Sequence, residues 1–171
     1  TTTVTLGDLC SLCFNTPIPV PKPAFTANIS VTADLPADVR AVTITGGNVV
    51  LSVTNNFSFD PIRPSATARG SIAITIRSGE TVLGTRTISG ATRSLAPGTT
   101  ATETIPITGT ISGPIVADLV LTSPPGDPTV LNRSQSFSVT IAPQNITAWS
   151  ATVNVTNRGV GLVRSRGETS A

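Results

Sequence analysis

Apolar and polar residues alternate along most of this chain with a period of two residues. The clearest case is the stretch 71–77, in which Ile72, Ile74 and Ile76 are separated by smaller or polar residues. This pattern is typical of a β-strand with one buried face, so the three isoleucines are predicted core residues. Similar alternation predicts further strands at 25–33, 39–45, 48–55, 81–88, 99–108, 115–122, 136–141 and 146–156, with a weaker one at 1–6.

Turn signals separate these strands. Gly46-Gly47, Ser78-Gly79 and Pro97-Gly98 each lie between two alternating stretches. No long stretch carries a helical stripe of apolar residues. Many short strands with frequent turns predict an all-β fold, an antiparallel two-sheet Ig-like sandwich in which each sheet keeps one solvated face. Trp149, the only tryptophan, shares one face of the last predicted strand with Ala151, Val153 and Val155 and is predicted to lie in the core.

The chain divides into three parts: an N-terminal arm at 1–23, the sandwich at 24–157 and a basic tail at 158–171. Proline occupies every second position from Pro17 to Pro23, which favours an extended rod about 20 Å long at ~3.1 Å per residue. Such a rod would hold the first strand away from the sandwich. The arm and the tail are therefore predicted to contact partners, through Thr3, Val4, Leu6, Pro19, Pro21, Arg158, Arg164 and Arg166.

The stretch 48–108 resembles two known kinds of module. Its strand endings and turns follow the order Val53-Thr54-Asn55-Asn56, Phe57 to Pro64, Ser78-Gly79-Glu80, Val82-Leu83-Gly84, Leu95-Ala96-Pro97-Gly98 and Thr104-Ile105-Pro106-Ile107. This order is similar to the water-stress hypersensitive-response domain of late-embryogenesis-abundant proteins, and to the adhesion-type Ig-like modules of bacterial surface proteins. The former usually has Asn-Pro where this chain has Asn55-Asn56. The resemblance implies an Ig-like or fibronectin-like sandwich without catalytic residues.

Composition limits the chemistry that the chain can perform. There is no His, Tyr or Met, and charged residues make up 12% with a net charge of +2. Without His a Ser-His-Asp hydrolase is excluded, and general acid–base catalysis at neutral pH loses its commonest group. The scattered arginines form no basic stripe, so nucleic acid is not an expected partner. We expect no enzyme activity, no cofactor and no metal.

Cys10 and Cys13 are the only cysteines and form a CxxC pair. A redox role needs a helix N-terminus to lower a thiol pKa, usually within a βαβ unit, and neither is predicted here. A zinc site needs four ligands, which two chains would have to share. A local disulfide in an oxidising compartment is the favoured interpretation, with a shared metal or an intermolecular bridge as alternatives.

These observations predict a non-enzymatic structural or accessory subunit of an extracytoplasmic assembly, either membrane-associated or filamentous. Abundant Thr and Ser with a single Lys fit a location on the periplasmic face or the cell surface. No apolar run approaches the ~20 residues needed to cross a bilayer, so the expected partners are other protein subunits or a membrane surface. The alternative is a cell-surface module that binds a glycan or a protein through loops at one end of the sandwich.

Overall fold

The computed structural model describes residues 1–33, 42–149 and 163–164, with the backbone alone described at 42, 148, 149, 163 and 164. One short helix, α1 (Leu6–Leu9), accompanies twelve strands. The strands are β1 (Thr2–Thr5), β2 (Val20–Lys22), β3 (Phe25–Ala33), β4 (Val42–Asn56), β5 (Ser71–Ser78), β6 (Thr81–Ser89), β7 (Thr100–Pro106), β8 (Gly109–Ile111), β9 (Ile115–Ser123), β10 (Gly126–Thr129), β11 (Ser136–Trp149) and β12 (Val163–Arg164).

The strands form two main sheets. The first has the order β1-β11-β4-β7, with β8 beside β4 and β12 beside β11, and the second has the order β3-β9-β5-β6. A small third sheet joins β2 to β10. Every pairing is antiparallel except that of β11 with the two-residue β12. The predicted all-β antiparallel class is therefore confirmed.

The core lies between the two main sheets and follows the alternation of each strand. Ile72, Ile74 and Ile76 of β5 are at most 2% exposed. They belong to one buried cluster with residues of the opposite sheet, such as Leu51 and Val139. Each such side chain contributes roughly 1.5–3 kcal/mol when it leaves water, so this alternation supplies much of the driving force for folding. Because the side chain of Trp149 lies outside the described residues, its predicted core position stays a prediction.

The strands β4 and β11 are longer than expected. We predicted a turn at Gly46-Gly47 and a break after Ile141, but both strands run through these points and pair with each other. Gly47 has φ +139°, and a Cβ there would lie 2.8 Å from Cδ1 of Ile146. The pairing also shifts register between Gln144 and Ala148, and Asn145 has φ 52°. The glycine therefore accommodates an irregularity within a long ribbon instead of making a turn.

The prediction of a separate N-terminal arm was wrong. Strand β1 pairs with β11 of the same chain, from Thr2 opposite Val139 to Thr5 opposite Ser136. Leu6, which follows directly, is fully buried in the core. The rod predicted from the alternating prolines does not separate β1 from the sandwich, because the chain folds back and places β1 at the edge of the first sheet.

Candidate interaction site

The segment between β1 and β3 holds the unusual features that the sequence analysis singled out. It starts at α1, where the Thr5 side chain caps the helix: Oγ1 of Thr5 accepts from the Asp8 amide at 3.2 Å, and Oδ2 of Asp8 accepts from the Thr5 amide at 3.0 Å. This reciprocal pair is a capping box. The hydrogen bond from the Thr5 amide lowers the pKa of the Asp8 carboxyl, with a further contribution from the Thr5 hydroxyl.

The helix ends in a disulfide. Cys10 and Cys13 are joined with a Cα–Cα distance of 5.4 Å, and both residues are buried within the hydrophobic core. The Cys13 amide also donates to the Cys10 carbonyl at 3.2 Å. Because both sulfurs are in the bond, neither is a thiolate that could ligate a metal. Within the described ranges, no group of His, Cys, Asp and Glu is arranged to hold a metal ion.

Arg133, in the loop before β11, ties this turn to the sandwich. Its Nη1 donates to the Cys13 carbonyl at 2.7 Å, and its Nη2 donates to the Gly7 carbonyl at 3.1 Å. Its backbone amide donates to Oδ1 of Asn15 at 2.7 Å. A Cβ at Gly7 would lie 3.1 Å from Nε and Nη2 of the arginine, so the absent side chain lets the guanidinium approach. The sequence contained no signal for this role, because Arg133 lies 120 residues from Cys13.

The proline-rich stretch is also attached to the sandwich. Thr16 and Leu131 exchange two hydrogen bonds, from the Thr16 amide to the Leu131 carbonyl and from the Leu131 amide to Oγ1 of Thr16, each 2.9 Å long. Strand β2 then pairs with β10. The stretch was predicted to be an extended rod, but its last part is a strand, because β10 supplies a partner at which Pro21 lies opposite Pro128 and neither proline must donate.

Lys22 closes the segment at its C-terminal end. Its side chain is 1% exposed and donates from Nζ to the carbonyls of Pro23 at 2.6 Å and Pro124 at 2.5 Å. The ammonium also lies over the rings of Phe25 and Phe59, at 4.8 and 5.3 Å from their centroids. Burial lowers the pKa of Lys22 to about 8. The lysine therefore anchors β2 to the loop after β9 from inside the protein.

The segment held in this way presents apolar side chains to solvent. Leu12 is 64% exposed, Phe14 63% and Ile18 65%. Val130, on the neighbouring backbone between β10 and Leu131, is 44% exposed. Among the described residues only two other large apolar side chains are exposed, Val82 and Val120. We call Leu12, Phe14, Ile18 and Val130 the N-terminal apolar surface.

The predicted contact residues differ in their accessibility. Thr3 is exposed, and its hydroxyl is 3.0 Å from that of Ser138. Pro19 and Pro21 are exposed, whereas Val4 is partly buried against the core. Leu6 is fully buried, so its prediction as a contact residue was wrong: it packs inside its own domain.

The basic residues of the predicted contact set belong to the C-terminal tail. Arg158 and Arg166 lie outside the described residues, and only the backbone of Arg164 is described, opposite Ala148. The contact residues that we missed are Leu12, Phe14 and Ile18. Ile18 lies between two prolines, where strand pairing is restricted, and this was the one available signal for its exposure.

In the portion of the chain that the structure covers, no helix has the length and apolarity needed to cross a membrane. Comparison with known proteins does not assign this chain to a family. No family model matches the chain, and no curated protein sequence matches it significantly.

Proposed function

We propose that this protein is a non-enzymatic structural or accessory subunit of an extracytoplasmic assembly, membrane-associated or filamentous, and that the N-terminal apolar surface is its contact with another protein subunit. The observation that carries this proposal is the exposure of Leu12, Phe14 and Ile18 on one short segment. Each side chain would gain roughly 1.5–3 kcal/mol if a partner removed it from water. Several exposed large apolar side chains on one short segment are characteristic of interaction sites.

The rigidity of the segment supports the same function. The disulfide, the Arg133 hydrogen bonds and the Thr16–Leu131 pair hold the backbone on both sides of Leu12 and Phe14. A partner would meet a preformed surface, and little conformational entropy would be lost when the two associate. Exposed apolar residues on a flexible tail would lack this advantage.

The composition and the disulfide support the rest of the proposal. A chain without His, Tyr or a free thiol has few groups for catalysis at neutral pH. Structural disulfides persist in oxidising compartments, which favours a location outside the cytoplasm.

Site-specific photo-crosslinking in the native host tests this function. A photoreactive amino acid at position 14 should capture one recurring extracytoplasmic protein. The same probe at position 82, which replaces a valine of similar accessibility on β6 (55% exposed), is the matched control and should not capture it. Identical products from both positions, or products that are only lipid, would contradict a protein contact at this surface.

A second variant separates binding from folding. Leu12→Ser/Phe14→Ser/Ile18→Ser should abolish the crosslinked product from a probe at position 130 while the melting temperature stays close to that of the unmodified protein, because the three side chains are exposed. The control Val82→Ser/Val120→Ser should leave the product unchanged.

A further inference from the structure

Besides the N-terminal apolar surface, the edge strand β3 is a second place at which a partner can bind. It lies at one end of the order β3-β9-β5-β6, and within the described residues it pairs with β9 alone. Its nine residues pair without any register shift, from Phe25 opposite Ser123 to Ala33 opposite Ile115. The outward-directed amides and carbonyls of such a strand form a row that another strand can join.

Natural sheets usually protect their edges with charges, prolines, bulges or short strands. Strand β3 has none of these features in its own sequence: FTANISVTA contains no charged residue and no proline, and the strand is long and regular. Helix α1 and strand β11 lie near β3, but among the described residues no backbone hydrogen bond joins β3 to any element except β9. Its outer face carries exposed Thr26, Asn28, Ser30 and Thr32, and its inner face contributes Ala27, Ile29 and Val31 to the core.

The edge strands β1, β7 and β6 differ from β3. Strand β1 has only four residues, and β7 ends at Pro106. Strand β6 is covered by the chain around β7, because Nη2 of Arg86 donates to the Thr104 carbonyl and the Thr108 amide donates to the Leu83 carbonyl. Its pairing with β5 also contains a register shift after Ile76. Among the edge strands β1, β3, β6 and β7, β3 alone is both long and free of charged residues and proline.

We propose that two copies of this chain associate through their β3 strands, antiparallel and centred on Ile29, so that the two four-stranded sheets become one continuous sheet. This register places Thr26 opposite Thr32 of the partner subunit and Asn28 opposite Ser30 of the partner subunit. On the inner face it places Ala27 opposite Val31 of the partner subunit, and the two Ile29 side chains opposite each other.

The residue pattern of β3 is complementary to that of a second, antiparallel copy of β3. In the antiparallel register centred on Ile29, every polar residue meets a polar residue and every apolar residue meets an apolar one. Thr–Thr pairs and pairs of small polar residues across two strands are favourable, and no like charges meet. A partner strand with a charged residue at a facing position would form less favourable cross-strand pairs. The composition of β3 therefore favours a second copy of β3 as its partner strand.

The nearest charges do not oppose this association. Asp118 of β9 lies beside Ser30, which donates to its Oδ1 at 2.7 Å. Nε of Arg77 in β5 donates to Oδ2 of the same carboxylate at 2.5 Å. The hydrogen bond from Arg77 lowers the pKa of Asp118, so the carboxylate stays ionised and paired. The two sheets would therefore meet without an uncompensated charge near the seam.

Sedimentation equilibrium of the purified full chain tests the proposal. The protein should show a reversible monomer–dimer equilibrium. Thr26→Lys/Thr32→Lys should weaken it by at least about tenfold, because the register places two lysines opposite two lysines. Thr26→Lys/Thr32→Glu should restore dimerisation, because each lysine then faces a glutamate. All three proteins should melt at similar temperatures, since both positions are exposed on the outer face.

Several outcomes would overturn the proposal. These are a wild-type protein that stays monomeric at the highest attainable concentration, a lysine–lysine variant that dimerises as well as wild type, and a lysine–glutamate variant that stays monomeric. Loss of the dimer in Leu12→Ser/Phe14→Ser/Ile18→Ser would also overturn it, because self-association would then use the N-terminal apolar surface. Since no other subunit is present in this measurement, its failure leaves the proposed function untouched.

Discussion

The only lysine of this chain, Lys22, holds its ammonium 4.8 Å from the ring centroid of Phe25 inside the protein. The contact joins β2 to the start of β3. It combines the attraction of a cation for an aromatic face with two hydrogen bonds from Nζ to backbone carbonyls. No carboxylate pairs with Lys22 among the residues that the structure describes. The charge is therefore buried with dipoles and rings as its partners, and burial sets its pKa.

We predict that stability rises with pH because of Lys22. Its pKa is about 8 in the folded protein and 10.5 in an unfolded chain. Below pH 8 both states carry the proton, and the cost of burying the charge is fully present. Between pH 8 and 10.5 the unfolded chain binds more protons, so the free energy of unfolding should increase, by about 3 kcal/mol in total.

Urea unfolding across this pH range measures the effect, with Lys22→Met as the matched control. The chain has no Tyr or His, and its two cysteines are disulfide-bonded, so no other side chain titrates in this range. The methionine variant should lack the increase. An equal slope in both proteins would show that Lys22 keeps its ordinary pKa when folded.

Removal of residues 1–23 should unfold the protein or lower its melting temperature severely. The truncation deletes β1 from its place beside β11 and removes Leu6 from the core. The loss of one buried leucine side chain alone costs about 2–5 kcal/mol, a large part of the stability of a typical domain. Circular dichroism during heating provides the measurement.

Deletion of Thr1 alone serves as the control for this truncation. Thr1 is exposed, and the one side-chain contact described for it is with the Thr140 hydroxyl at 2.8 Å. We expect its loss to change the melting temperature little. If the protein that starts at Ala24 melts within a few degrees of the full chain, the N-terminal segment is a separate arm after all.

Loss of the disulfide should destabilise the protein without unfolding it. Cys10→Ala/Cys13→Ala removes a cross-link that closes a very short loop, for which the entropy term is about 2 kcal/mol. Cys10→Ser/Cys13→Ser should be less stable than the alanine pair, because both positions are buried and a buried hydroxyl without a partner costs about 1–3 kcal/mol.

Urea unfolding of the two double variants gives this comparison. Amide exchange should also become faster at positions 11–14, since the closed turn no longer holds the backbone. Serine and alanine variants of equal stability would mean that solvent reaches the two positions.

Asn55 should be intolerant of substitution by Asp. It is fully buried, its Nδ2 donates to the carbonyls of Phe59 and Leu95 at 2.9 and 2.8 Å, and its Oδ1 accepts from the Phe57 amide at 2.8 Å. Asn55→Asp keeps the shape but removes both donors and buries a carboxyl group. We expect a loss of about 2–5 kcal/mol at pH 7.

The same substitution at the neighbouring residue is the control for Asn55. Asn56 is exposed, so Asn56→Asp should leave the free energy of unfolding nearly unchanged. The penalty at Asn55 should also shrink at acidic pH, because a protonated carboxyl can donate one of the lost hydrogen bonds. Equal effects of the two substitutions would contradict the anchoring role of Asn55.

The alternation of residues was sufficient to predict most of the strands. The expected strand at 25–33 matches β3. The expected strands at 71–77 and 115–122 begin with β5 and β9 and lack only the last residue of each. The hairpin at Ser78-Gly79 is also confirmed, with Gly79 at φ +59°. These features depend on near neighbours in the chain: the period of two decides which face is buried, and a glycine decides where a tight turn is free of strain.

The tertiary structure decided the place of each segment that depends on a distant partner. Strand β1 joins β11 because β11 offers an edge more than 130 residues away, and β4 continues through Gly46-Gly47 because β11 pairs with β4 on both sides of these glycines. Lys22 is buried because Phe25, Phe59 and the Pro124 carbonyl surround it. Local patterns state what a residue prefers, whereas pairing and burial depend on which surfaces meet when the chain closes on itself, and no period in the sequence encodes that.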